Sequence, residues 1–248
     1  MALSALRGAV GFLSRLPVGH DENAWHAVTR TPATFPLVAY LLGAIVAIPL
    51  LAPLPPPTAG AGFVLWLYLV TGINHLDGVT DLGDAVVVHG DPERRRAVLA
   101  DTTTGVGGTL ALVVVVLGLA AAAVQLPQLP LAALGLVVVA EVGAKTAMAL
   151  LVCLGTASHE GLGSSFTERA SPRATVSVAV VAVPAVAVTW PHVLPAAVAL
   201  VAAILVGAGL WAWARVHLGG VSGDVLGATN ELARVVALHA GVIAWTLS

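Results

Sequence analysis

Apolar stretches long enough to cross a membrane run through most of the sequence, separated by short segments rich in proline or arginine. A run of about 20 apolar residues matches the hydrocarbon core of a bilayer about 30 Å thick. One such run could be a buried helix in a soluble core. Six or seven could not, because only 10% of the residues are charged, against roughly 25% in a soluble domain. The reading is an all-α, polytopic membrane helix bundle of about seven transmembrane helices. The spans fall at roughly 35–52, 60–76, 106–124, 131–154, 174–190, 194–214 and 232–247. The second and last are short, so each is expected to continue a helix that leaves the bilayer.

No internal repeat or soluble domain interrupts residues 1–248, which read as one integral-membrane domain. Residues 1–30 carry Arg7 and Arg15 and read as an interfacial segment. Met1 to Val18 has no long apolar core and no small-residue cleavage site, so no signal peptide is expected.

Charge placement orients the spans. The connections 53–59, 125–130 and 191–193 contain no Lys or Arg. Arg7, Arg15, Arg30, the run Arg94 to Arg96, Arg169, Arg173 and Arg215 all fall in the other connections and the N-terminal segment. The positive-inside rule puts the N-terminus in the cytoplasm and the C-terminus outside. The chemistry-bearing segments 74–108, 158–173 and 215–231 then share the cytoplasmic face of a cell (inner or plasma) membrane. Of the acidic residues only Glu141 is expected to lie deep, as an i, i+4 ion pair with Lys145. The net charge of −2 excludes a basic nucleic-acid binder. The lone Cys153 excludes an intramolecular disulfide or a Cys-based zinc site.

The richest segment runs from Thr71 to Asp84. On a helix turning about 100° per residue, with Asp77 at zero, Asp81 falls at about 40°, Asp84 at about −20° and Asn74 at about 60°. His75 points to nearly the opposite side. Three stacked carboxylates repel one another. A hard cation such as Mg²⁺ removes that repulsion, and Mg²⁺ commonly works between carboxylates and substrate phosphates. Asp77, Asp81 and Asp84 are therefore the candidate metal ligands.

Further candidates follow along the chain. Pro92 suits the first turn of a short helix capped by Asp91. Three consecutive arginines cannot share one helix face, so one or two of Arg94, Arg95 and Arg96 are expected on phosphate and the rest on headgroups or water. Asp101 precedes a Thr/Gly stretch whose amides could hold a phosphate. Gly161 and Gly163 would let a ligand approach the backbone closely. In the last polar segment, Asp224, Gly227 and Glu231 share one helical stripe.

In order and spacing, these segments resemble the cobalamin synthase family, the adenosylcobinamide-GDP ribazoletransferases. The likeness begins at Phe12-Leu-Ser-Arg15-Leu-Pro17-Val and continues through His75-Leu-Asp77-Gly-Val-Thr-Asp81-Leu-Gly-Asp84 and Asp101-Thr-Thr-Thr-Gly105-Val-Gly. It ends with Glu160-Gly-Leu-Gly163 and the run from Gly219 to Leu232, so it covers essentially the whole chain. Departures are Ala100-Asp101-Thr102 where the family often has Lys-Asp-Ser, and Ser158 and Lys145 where arginines are usual.

The resemblance implies a Mg²⁺-dependent phosphotransferase. A ribose hydroxyl of α-ribazole, or of its 5′-phosphate, attacks the corrinoid-side phosphorus of adenosylcobinamide-GDP and GMP leaves. It implies catalytic roles for Asp77, Asp81, Asp101 and Asp224. Substrate contacts are expected from Asn74, His75, Arg94, Arg95, Lys145, Gly161, Gly163 and Glu231. The lipid bilayer, a homo-oligomer and other cobamide-assembly enzymes are the expected partners. Two rivals remain. A CDP-alcohol phosphotransferase would need an Ala-Arg pair and a long spacer between its aspartate pairs, which 77–84 lacks. A cation-coupled transporter would need ligands along a path through the bilayer.

Overall fold

The computed structural model describes residues 2–19 and 21–248. Met1 and His20, both within the segment read as interfacial, lie outside the described residues. Among the described residues the chain is helical, apart from one isolated bridge between Ala157 and Val221. The helices are α1 (Ala2–Leu13), α2 (Glu22–Thr29), α3 (Thr34–Ala47), α4 (Pro56–Thr71), α5 (Asn74–Val87) and α6 (Pro92–Leu99). They continue as α7 (Val106–Gln125), α8 (Gly135–Leu154), α9 (Leu162–Thr167), α10 (Ala174–Ala182), α11 (Val193–His217) and α12 (Gly223–Leu247).

Four helical stretches are long and apolar enough to cross a membrane: Thr34–Leu51, Val106–Gln128, Leu131–Leu154 and Val193–His217. Burial sorts them. Within an 18-residue apolar window of each, 89% of the residues are buried for Leu131–Leu154, against 28% for Val106–Gln128 and 33% for Val193–His217. So α8 is the axis of the bundle, and α7 and α11 turn leucines and valines such as Leu110, Leu117, Val201 and Leu205 outward. Outward apolar side chains suit contact with lipid, which has no water to exclude them.

The expected seven spans coarsen here. Ala174–Thr189 is apolar but short. α12 is long enough, but Asp224, Asn230, Glu231 and Arg234 break its apolar character. The second span does not run on into the aspartate helix. α4 and α5 meet at a bend of 102°, made at Gly72, whose φ of +79° is open to glycine at little cost. The aspartate helix thus leaves the direction of α4 and lies across the end of the bundle.

Small residues fix α5 there. A side chain at Gly78 would lie 2.6 Å from the backbone oxygen of Asp224, and one at Gly227 would lie 3.2 Å from the backbone of His75. α5 and α12 therefore touch backbone to backbone. On the other flank, Gly83 packs against Gly107 and Gly108 at the start of α7. Small-residue contacts of this kind are how helices approach closely in a membrane.

Gly78→Ala is expected to force these backbones apart and to lower the thermal midpoint of the detergent-solubilised protein, since overpacking costs about 1–3 kcal/mol. Gly62→Ala, whose added carbon meets nothing within 4 Å, is the control and should leave the midpoint in place. Equal midpoints in a thermal-shift measurement would remove the close contact from the account.

Candidate active site

The aspartate face forms as the helical spacing predicts, and α12 adds to it. Burial pushes Asp81 up to about 6, and the neighbouring charges of Asp77, Asp224 and Asp84 push in the same direction. Asp224 owes its place to Gly78, whose missing side chain lets the first turn of α12 sit on α5. Ser222 caps that turn by accepting the Val225 N–H, and its hydroxyl also donates to Asp224 Oδ2 at 3.2 Å.

Asp84 behaves differently. Its Oδ2 accepts the N–H of Gly105 at 2.6 Å and its Oδ1 the N–H of Gly108 at 2.9 Å. A carboxylate at the open N–H groups of a helix start is favoured by hydrogen bonding and by the helix dipole. The amides read from sequence as a phosphate cradle are thus occupied by the protein's own Asp84. Asp101 is exposed and accepts from the N–H and hydroxyl of Thr103, which hold its carboxyl below the usual range.

The arginine helix is anchored mostly to backbone. Asp91 caps α6 by accepting the Arg94 N–H at 2.9 Å, as its position before Pro92 predicts. Arg95 donates to the carbonyls of Ala85 and Val86 at the end of α5, and Arg96 to that of Leu218. Arg94 is exposed. Gly163 makes room for the chain itself, because a side chain there would meet the Val221 oxygen at 2.7 Å. That contact joins the turn at Gly161 to the start of α12, next to the Ala157–Val221 bridge.

Beneath the carboxylates lies a charged network, larger than the single ion pair read from sequence. Glu141 bonds both Lys145 and Arg234, and Arg234 also reaches Glu231 Oε2 at 2.6 Å. All four side chains are at most 1% exposed. Glu231 therefore sits deep, correcting the expectation that Glu141 would be the sole buried acid. Lys145, expected on phosphate, is enclosed and bonded to Glu141.

The network reaches the surface through His75. Glu231 also accepts from Tyr68 Oη at 3.1 Å and Asn230 Nδ2 at 2.9 Å, and Asn230 Nδ2 stands 3.0 Å from His75 Nδ1. Bonding to Glu231 orients the Asn230 amide, so His75 Nδ1 is the acceptor and a neutral ring carries its proton on Nε2.

A cavity of about 510 Å³ opens beside these groups. Asn74, His75, Asp77 and Asp224 line one part of it, and Arg7, Asp21 and His159 are further polar residues of the lining. α1 and α2 add Phe12 and Trp25 to the lining, and the Phe12 ring stands edge-on to His75 with centroids 6.5 Å apart. Sequence reading saw Phe12 only as part of a family likeness and missed Trp25. No periodicity in residues 1–30 announces that α1 and α2 pair, which they do with Gly8 against the Ala24 backbone. Asp81, Asp84, Asp101, Arg94 and Arg95 do not line this cavity.

The network makes a stability prediction. Glu141→Gln leaves Lys145 and Arg234 facing Glu231 alone, and stranding a buried charge costs about 3–5 kcal/mol. The solubilised variant should melt well below wild type, whereas Asp77→Asn, on the exposed face, should not. Equal melting of both variants would remove the structural role given to Glu141.

The chain is similar to known proteins along its whole length. A family model described as cobalamin-5-phosphate synthase matches residues 5–242. Proteins named adenosylcobinamide-GDP ribazoletransferase match from Halorubrum lacusprofundi (59% identical, 99% of each chain) and Haloquadratum walsbyi (45% identical, 100% of each chain). A third, from Methanocella arvoryzae, is 31% identical over 98% of this chain and 97% of its own. No solved structure matches the chain. With a family model covering nearly its whole length and relatives matching end to end, the chain belongs to the cobalamin-5-phosphate synthase family.

Proposed function

We propose that this chain is a membrane-embedded adenosylcobinamide-GDP ribazoletransferase. A ribose hydroxyl of α-ribazole, or of its 5′-phosphate, forms a new P–O bond at the corrinoid-side phosphorus. The bond from that phosphorus to the bridging oxygen breaks, GMP leaves with the electron pair, and the hydroxyl proton passes to a base. The observation that carries the reading is the meeting of Asp77, Asp81 and Asp224 at the join of α5 and α12, beside a cavity that Asp77 and Asp224 line.

The charges of Asp77 and Asp224 both act on Asp81, and three carboxylates brought together in this way are a donor set suited to a hard cation. Among the described residues no three His, Cys, Asp or Glu side chains form a ready-made ion cage. Mg²⁺ keeps several waters and combines one or two carboxylates with substrate phosphates. Asp77 and Asp81 would hold it, the Asp224 carboxylate beside them would add its negative charge to the ion's binding, and Asp84 behind them would tie α5 to α7. When bound, Mg²⁺ supplies charge neutralisation on the diphosphate.

The chain's own groups do the rest. Asp224 has Oδ2 engaged by Ser222, leaving Oδ1 to take the acceptor hydroxyl's proton. Asp101, held ionised by Thr103, is the poorer base. Arg94 is the exposed cation of α6 for the departing GMP. Arginine-free connections on one side and arginine-bearing ones on the other support seven spans with a cytoplasmic N-terminus and site.

Purified protein in detergent, given GDP-cobinamide and α-ribazole, should release GMP with Mg²⁺ and stop with EDTA. Asp77→Ala should lower turnover at least about 100-fold, the scale of losing several kcal/mol of charge stabilisation. Wild-type protein that releases no GMP with any divalent metal would overturn the assignment.

A further inference from the structure

We infer that the cavity between the N-terminal helix pair and the start of α12 is the acceptor's site, holding the flat aromatic base of the nucleoside with its ribose hydroxyl toward Asp77 and Asp224. This rests on the transferase reading and deepens it, because that reading leaves open which of two very unequal substrates lies where.

Size separates them first. The cavity is about 510 Å³, within the range of about 300–1,000 Å³ that encloses a small ligand. A two-ring base with its ribose fits such a volume. A corrin macrocycle carrying a nucleoside diphosphate is several times larger, so it must lie outside and present only its diphosphate.

The lining agrees in chemistry. Phe12 and Trp25 offer aromatic surface, and Met148 and Leu162 add apolar contact. The aromatic wall is held ready. Phe12 packs on Phe166 and Phe35 with ring centroids 4.9 and 5.7 Å apart, and Trp25 meets Phe166 edge-on at 5.4 Å. Aromatic side chains in such a setting bind bases by stacking, at little cost in ordering. Among the polar residues of the lining, His75 has Nδ1 engaged by Asn230. Its Nε2–H is the group the ring has left to donate to a ring nitrogen or a ribose oxygen.

Placement then fixes direction. Asp77 and Asp224 line the cavity, whereas α6 and α7 contribute nothing to its lining. A displacement at phosphorus needs the attacking and leaving oxygens in line on opposite sides. An acceptor rising from the cavity therefore attacks from the α1–α2 side, and GMP departs away from it, toward α6.

The test is a split in Michaelis constants for two variants in purified protein, with GMP release as readout. Trp25→Ala removes the stacking wall. Leu162→Trp fills the cavity from a position already 42% exposed, so it should fold even if the first variant does not. In each, KM for α-ribazole should rise at least about tenfold, the scale of one lost base–aromatic stack, while KM for GDP-cobinamide stays within about twofold. If wild type is active and the shift falls on GDP-cobinamide, or on neither constant, the cavity assignment is overturned and the transferase reading stands. If wild type releases no GMP, the transferase reading itself falls and takes this assignment with it.

Discussion

Two acids and two bases buried at the centre of an apolar bundle set the register of the fold. Glu141 and Lys145 come from α8, Glu231 and Arg234 from α12, and their formal charges cancel. Isolated charges in such surroundings would cost far more than a folded protein can tolerate, so they must be paired and hydrogen-bonded. Arg234 bridges the two helices, and a slip of one turn along either would strand it. Tyr68 brings α4 into the same network, and Asn230 carries it to His75 at the rim of the cavity. The end of α12 that carries Asp224 is thereby fixed by contacts made well below it.

The surface carboxylates have the opposite character. Asp77, Asp81 and Asp224 gain nothing from one another's company, and Asp81 is pushed up to about 6 partly because of it. Backbone-to-backbone contacts at Gly78 and Gly227 hold them together against repulsion. A local rule is broken here, and the compensation lies elsewhere in the fold. Asp84 sits in the same row yet finds partners in the open amides of α7, so one stack of identical residues serves two purposes.

Much of this could be read in the sequence, and the misses have a common cause. The four stretches long and apolar enough to cross a membrane follow from apolar run length, a one-dimensional property, and the i, i+4, i+7 spacing of Asp77, Asp81 and Asp84 needs only helical geometry. The stripe of Asp224, Gly227 and Glu231 was likewise visible, and all three do face α5. What stayed hidden depends on contacts between distant segments. Gly72 looks like any glycine in an apolar run until α4 and α5 are seen to bend there. Gly163 looked like an opening for a ligand, but it accommodates residues 221 and 222 instead. Arg234 gave no sign that Glu141, 93 residues earlier, would be its partner. The pairing of α1 with α2 that builds the cavity wall has no periodic signature either.

The central claim is that α5 and α12 form one metal-dependent site. Mn²⁺ in place of Mg²⁺ makes it directly observable by electron paramagnetic resonance, without turnover. Titrated into solubilised protein with GDP-cobinamide, Mn²⁺ should bind wild type, and Asp77→Asn and Asp224→Asn should each weaken that binding, although the two residues lie on different helices. If Asp224→Asn binds Mn²⁺ as wild type does while Asp77→Asn does not, α12 contributes nothing to the ion. If both bind normally, the carboxylate meeting is not a metal site and the account is contradicted at its centre.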